Sequence, residues 1–155
     1  MKYTSISLLV TISFLLSSCG GIKNGKYSIS QGVFGRVVWV QGNMMPSPDL
    51  PVNGNEKPAQ KTIKIYEHTS FSQVNGEAPL FTNVKTKLIK TLKSDENGYY
   101  QAKLLPGKYS IFTAEEDGGK LFANSFDGEG LISAFEVKPN EVVTFDIKIN
   151  YKAYY

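Results

Sequence analysis

The sequence predicts an all-β protein, a single seven- to eight-stranded antiparallel β-sandwich. Three observations carry that expectation. Short runs rich in β-branched and aromatic residues alternate in polarity with a period of two, which places successive side chains on opposite faces of a strand. Gly, Pro, Asn and Asp interrupt these runs about every ten residues. No stretch sustains the i, i+3, i+4 apolar repeat over three helical turns.

Residues 33–40 are the first strand, with Val33, Gly35, Val37 and Trp39 on one face and Phe34, Arg36, Val38 and Val40 on the other. Residues 41–61 hold Pro46, Pro48, Pro51 and Pro58 with Gly42 and Gly54, a composition that forbids helix and opposes strand pairing. A loop of about 20 residues is long for a small domain and points to function or a disordered flap. Residues 62–68 alternate again, with Ile63 and Ile65 inward. Residues 69–82 are polar and broken by Gly76 and Pro79, and 84–92 form the next strand, with Val84, Thr86, Leu88, Lys90 and Leu92 on its core side. Asp95, Asn97 and Gly98 mark a turn that doubles the chain back into 99–104 as a hairpin. Pro106-Gly107 turns it once more, and strands follow at 108–114, 120–124, 132–137 and 142–151.

A chain of 155 residues with 41% hydrophobic side chains, nine Phe and nine Tyr is rich enough for one packed core. A domain of this size needs no disulfide, even in an oxidising compartment. The formal net charge is +3 and the basic residues fall singly along the strands, which argues against nucleic acid as a partner.

Residues 1–18 have the parts of an export signal: Lys2 in a short polar start, an apolar run at 6–16, then Ser17 and Ser18. The run is too short to span a bilayer, which takes roughly 20 apolar residues. Leu16-Ser17-Ser18-Cys19 resembles the lipobox of bacterial lipoproteins. That resemblance implies cleavage before Cys19, a diacylglycerol thioether on its sulfur and acylation of the new amino terminus. Gly20 stands where an Asp would favour inner-membrane retention, and no acidic run follows the cysteine. The resemblance therefore points to the outer membrane and its periplasmic face. Residues 19–32, mostly Gly, Ser, Asn and Lys, read as a flexible tether, and 33–151 as the folded domain.

The run Ser94-Asp95-Glu96-Asn97-Gly98-Tyr99-Tyr100-Gln101-Ala102-Lys103-Leu104-Leu105-Pro106-Gly107-Lys108-Tyr109-Ser110-Ile111 resembles the hallmark of carboxypeptidase regulatory-like domains. The opening Gly32-Val33-Phe34-Gly35-Arg36-Val37, the stretch from Val38 to Pro46 and the closing Ile147-Lys148-Ile149-Asn150-Tyr151 are similar to small Bacteroidota lipoproteins that carry this domain. The resemblance implies a transthyretin-like Greek-key sandwich in which Leu104 and Tyr109 meet across the core. It implies no peptidase activity, because in the namesake enzymes a separate zinc domain does the chemistry. The insert after Trp39 departs from the family pattern.

The candidate chemistry is thin. His68 and an acylated Cys19 cannot supply the three protein ligands of a catalytic zinc site, and one histidine leaves no serine, histidine and acid set to assemble. Glu115, Glu116, Asp127 and Glu129 sit in Gly-rich turns, where solvated turn acids are the favoured reading over a glycosidase pair. Asp127-Gly128-Glu129-Gly130, with Asp117, offers oxygens to calcium but lacks the ligand spacing of an EF-hand loop. No metal and no cofactor is expected. Asn43-Met44-Met45-Pro46 puts two flexible thioethers in a Pro-bounded loop, suited to plugging one end of the core or touching a partner. Trp39, Tyr99, Tyr100, Tyr109, Tyr151, Tyr154 and Tyr155 include residues able to form a sugar-stacking platform, although most aromatics in a sandwich are core. The sequence thus points to a non-enzymatic, lipid-anchored envelope module that contacts a protein or glycan through Trp39, Asn43, Met44, Met45 and Pro46. A carbohydrate-binding accessory lipoprotein is the alternative.

Overall fold

The computed structural model describes residues 27–45, 56–116 and 119–154. The expected leader, Cys19, Pro46, Asp117 and Tyr155 lie outside the described residues. The fold is all-β, with one short 3-10 turn at Phe71–Gln73. In chain order the strands are β1 (Gly32–Asn43), β2 (Glu56–Pro58), β3 (Thr62–Glu67), β4 (Val74–Glu77), β5 (Leu80–Val84) and β6 (Leu88–Lys93). There follow β7 (Tyr99–Lys103), β8 (Gly107–Ala114), β9 (Leu121–Phe122), β10 (Ala134–Val137), β11 (Val142–Thr144) and β12 (Ile147–Tyr154).

These strands form two sheets packed as a sandwich, the class the alternation predicts. Sheet one is organised around β1. On one flank β7 and then β2 run antiparallel to it; on the other β11 and then β12 run parallel. Sheet two has the order β4-β5-β9-β8-β3-β6, with β10 also on β8. The main core lies between the sheets. Val33, Val37, Tyr100, Ile147 and Ile149 come from sheet one, and Ile63, Ile65, Ile111, Phe122 and Phe135 from sheet two. The alternation in β1 follows the sequence through Val37, with Val33, Gly35 and Val37 buried; at its end Val40, expected on the other face, is buried and Trp39 is half-buried.

Several expectations are corrected. The turn at Asp95 is tight, since its Oδ1 accepts the amides of Asn97 and Tyr99. Yet β6 belongs to sheet two and β7 to sheet one, so the turn arches between sheets and makes no hairpin. Turn chemistry fixes local backbone, whereas the choice of sheet follows from which apolar face needs covering. The polar stretch 69–82 holds β4 and part of β5: Gly76 (φ 93°) sits at a β-bulge and Pro79 in the connecting turn. Residues 84–92 are therefore not one strand, because the chain leaves sheet register at 85–87. The insert is shorter than residues 41–61: β1 continues to Asn43, and β2 pairs with Val38–Val40. Pro58 is accommodated at the end of an edge strand, where its missing N–H removes little from the ladder. The expected tether is already packed from Tyr27, whose ring lies 5.5 Å from that of Phe34, and Ile29 is buried. A second apolar cluster of Tyr66, Phe81, Phe112, Leu121, Ala123 and Ile132 lies on the opposite face of sheet two. Ile111 and Phe112 consequently serve different clusters, and β8 is buried on both faces.

Parallel pairing of β1 with β11 and β12 also departs from the purely antiparallel expectation. Strands joined by a short turn must be antiparallel, but these are separated by most of the chain, so direction is free. The parallel flank breaks at Phe145 and Asp146. There the Phe145 amide donates to the Phe34 carbonyl, and Asp146 Oδ1 takes the Arg36 amide at 2.8 Å in place of a backbone acceptor. The break brings the Phe145 carbonyl against β1 at Gly35, where a Cβ would stand 1.8 Å from that oxygen. The same carbonyl accepts the hydroxyl of buried Tyr100.

Gly35→Ala is expected to lower stability by about 3 kcal/mol, because backbone and not a flexible side chain must retreat; urea denaturation of purified protein measures it. Burial, and secondarily the Asp146 charge, raise the Tyr100 hydroxyl far above its ordinary value. The folded state therefore holds this proton where the unfolded chain, titrating near pH 10, releases it. That contribution is complete below about pH 10 and lost as pH rises beyond it. Tyr66 and Tyr109 are raised by burial in the same sense. Tyr100→Phe is expected to cost about 1–2 kcal/mol at neutral pH by orphaning the carbonyl, and to make the alkaline fall in midpoint shallower. An unchanged pH slope would contradict this assignment.

Candidate functional site

The inward row of β8 runs Tyr109, Ile111, Thr113 and, one residue past the strand, Glu115. An apolar row thus ends in a carboxylate, buried to 8% exposure. A buried carboxylate needs donors. Lys61, at the β2–β3 connection, sends its Nζ to Glu115 Oε2 at 2.8 Å, and the Tyr151 hydroxyl donates to the same oxygen at 2.8 Å. Thr113 Oγ1 donates more weakly to Oε1 at 3.4 Å. The Lys61 backbone is itself held, since its amide donates to Ser94 Oγ and its carbonyl accepts the Ser94 amide.

Trp39 roofs this cluster. Its ring meets Tyr151 edge-on at 5.3 Å, and Tyr151 lies 5.6 Å from Phe122 in the core. The Lys61 and Lys152 ammonium groups lie 5.0 and 5.7 Å from the Trp39 centroid. Trp39 Nε1 donates to Gln41 Oε1 at 3.0 Å. A bulge in the β1–β12 pairing between Trp39 and Gln41 brings Tyr151 to this side of the tryptophan.

Beyond Val40, among the described residues, β1 pairs with β12. Gln41, Gly42 and Asn43 pair with Lys152, Ala153 and Tyr154, and the Met44 amide donates to the Tyr154 carbonyl. Asn43 Oδ1 accepts the Met45 amide at 2.9 Å. Among the described residues, this parallel pair ends in Met45, 61% exposed, and Tyr154, 74% exposed. Neither core cluster contains a methionine, so Met45 does not plug the sandwich. Of the residues expected to form the contact surface, Trp39, Asn43, Met44 and Met45 fall on this one end, while Pro46 lies outside the described residues.

Glu115 was expected to be a solvated turn acid and is instead the buried anchor of the site; alternation continued one residue past the strand would have placed it inward. Lys61 and Tyr151 gave no comparable signal, because only the fold brings them to it. Asp127 fits the turn reading: its Oδ1 accepts the amides of Glu129 and Leu131. His68, half-buried, lines an open groove of about 370 Å³ with Lys108, Asp127, Glu129 and Glu136. Among the described residues no three His, Cys, Asp or Glu side chains come together to hold a metal ion. Tyr100 and Tyr109 are buried in the core. Tyr99 stacks on Phe34 at 6.0 Å, continuing the row from Tyr27, and Arg36 lies over its other neighbourhood at 5.3 Å.

No family model, curated protein or solved structure was found to match this chain. Its functional reading therefore rests on its own geometry.

Glu115→Gln leaves the Lys61 ammonium without its counter-charge and is expected to destabilise the fold by about 2–3 kcal/mol, less than a fully enclosed pair because Lys61 can turn toward solvent. Replacing both partners, Lys61→Met with Glu115→Gln, should recover part of that loss in chemical denaturation. Strictly additive losses would mean the two side chains do not interact.

Proposed function

We propose that this chain is a non-enzymatic, lipid-anchored module of the cell envelope whose partner contact is the end formed by Trp39, Asn43, Met44 and Met45 with Tyr154. The observation that carries the reading is the paired end of β1 and β12, where an exposed Met45 and an exposed Tyr154 share one end of the sandwich with a base held by Lys61, Glu115 and Tyr151. Contact residues on a rigid base are presented at low entropic cost. Methionine adds an adaptable apolar surface and tyrosine a rigid one. The leader and the Leu16-Ser17-Ser18-Cys19 motif support anchoring through acylated Cys19 in the outer membrane, facing the periplasm. Several acyl chains hold far more firmly than one. Resemblance to carboxypeptidase regulatory-like domains is in keeping with the tight turn at Asp95 and with Leu104 and Tyr109 meeting in one core.

The carbohydrate reading has one favourable observation, the surface row Tyr27, Phe34 and Tyr99 on the outer face of sheet one. Trp39 favours it less, since a sugar stacking there would compete with the ammonium groups of Lys61 and Lys152.

Mild cross-linking and capture of the native protein from envelope membranes tests the proposal. Wild type is expected to recover a protein partner; Met45→Ser with Tyr154→Ser should reduce recovery at least tenfold without moving the melting temperature by more than a few degrees. Cys19→Ala should release the protein from membranes and abolish labelling by a fatty-acid probe. Recovery of glycan that depends on Tyr27 and Tyr99 would instead support the second reading.

A further inference from the structure

We propose that the β6 edge of sheet two is a second, independent contact surface, made for an anionic lipid bilayer. Residues 78–94 contain Lys85, Lys87, Lys90 and Lys93 and no acidic residue. Lys90 and Lys93 lie on β6, the outermost strand of sheet two, which among the described residues pairs with β3 alone, and Lys85 and Lys87 lie in the segment that leads into it. The fold also adds Lys64, which β3 places opposite Thr91. Lys93 and Lys64 thereby share the outer face of sheet two beside this edge, while Lys90 stands on its core side and reaches toward sheet one.

Two features show that the charge is available. None of these five lysines forms an ion pair with a described carboxylate; the ion pairs among the described residues are Lys61 with Glu115 and Lys148 with Glu56. The Lys90 ammonium lies 3.4 Å from the Lys103 carbonyl, a weak and neutral contact. The backbone beneath the stripe is fixed at 85–87: the Lys85 amide donates to the Gln73 carbonyl, the Thr86 hydroxyl pairs with that of Thr69 at 2.6 Å, and the Lys87 carbonyl accepts the Glu67 amide. The lysine side chains of 85 and 87 are left exposed on a rigid support.

The apolar part selects the kind of polyanion. Leu88 is 46% and Ile89 38% exposed, side by side between Lys87 and Lys90, where a bulge in the β3–β6 pairing breaks the alternation. Nucleic acid has little use for an aliphatic pair at the centre of a basic stripe. A bilayer interface takes both: lysine stems lie along apolar surface while their ammonium groups reach the phosphates, and short aliphatic side chains enter the headgroup boundary. Lysines on an open edge also deter strand addition from other chains, a role that calls for no lipid affinity.

The domain beginning at Tyr27, whose two cores draw on residues from Val33 onward, carries neither leader nor Cys19 and so separates this surface from the lipid anchor. Sedimentation with vesicles of phosphatidylglycerol and phosphatidylethanolamine, against vesicles of phosphatidylcholine, is the test. Binding to the anionic vesicles is expected at low salt, weakening as salt approaches about 0.15 M. Each lysine is worth roughly a fivefold change in partition, so Lys87→Gln with Lys93→Gln should weaken binding about 25-fold. Leu88→Ser with Ile89→Ser should weaken it severalfold while the melting temperature stays close to wild type. No binding to anionic vesicles at low salt, binding indifferent to the lysine substitutions, or equally tight binding to a DNA duplex that ignores Leu88 and Ile89 would overturn the proposal. Lost binding in the lysine variant alone, with wild-type melting, upholds it.

Discussion

Sheet one depends on what happens beside a single glycine. Every other strand of that sheet pairs with β1, so the position of β1 relative to the parallel flank sets the sheet as a whole. At Gly35 the Phe145 carbonyl comes closer than any Cβ would permit, and Tyr100 reaches the same oxygen from the core side. Asp146 then supplies the acceptor that the interrupted ladder lacks. With that junction closed, β12 resumes pairing at Val37 and continues to Asn43. The proposed contact end of the molecule is thus positioned by a packing constraint several residues away.

The β class, the inward face of β1 and the strand at Ile63 and Ile65 were legible because each is a local alternation that the fold merely uses. Sheet membership was not. Asp95 and Gly98 announce a tight turn equally well for a hairpin or for an arch between sheets, and only the demand to cover both Tyr100 and Ile65 decides. The segment holding Gly76 and Pro79 looked irregular because a bulge and a turn were read as an absence of strand. Pairing of β1 with β12 depends on residues more than a hundred positions apart, for which one sequence carries no signal.

The site shows the same division. Trp39 and the two methionines stand out by rarity and by their Pro-bounded setting, and they do fall at one end of the sandwich. Glu115 was hidden by the turn that follows it, and its partners Lys61 and Tyr151 by distance along the chain. A carboxylate, an ammonium and a phenol meeting under an indole give that end a rigid base, and the contact residues above it inherit the rigidity. The lysines of the β6 edge were visible individually, but their convergence with Lys64 is a product of strand pairing.

The adjacency of β1 and β12 has a consequence for the order in which the molecule comes into being. The earliest strand finds its longest neighbour only after the chain has been made through Ile147 and beyond. Until then the edge of β1 from Val37 to Asn43 lacks its parallel neighbour. An emerging chain therefore has no way to complete this sheet prematurely. A product that stops short of β12 is left with a bare strand edge, a template for pairing with other chains.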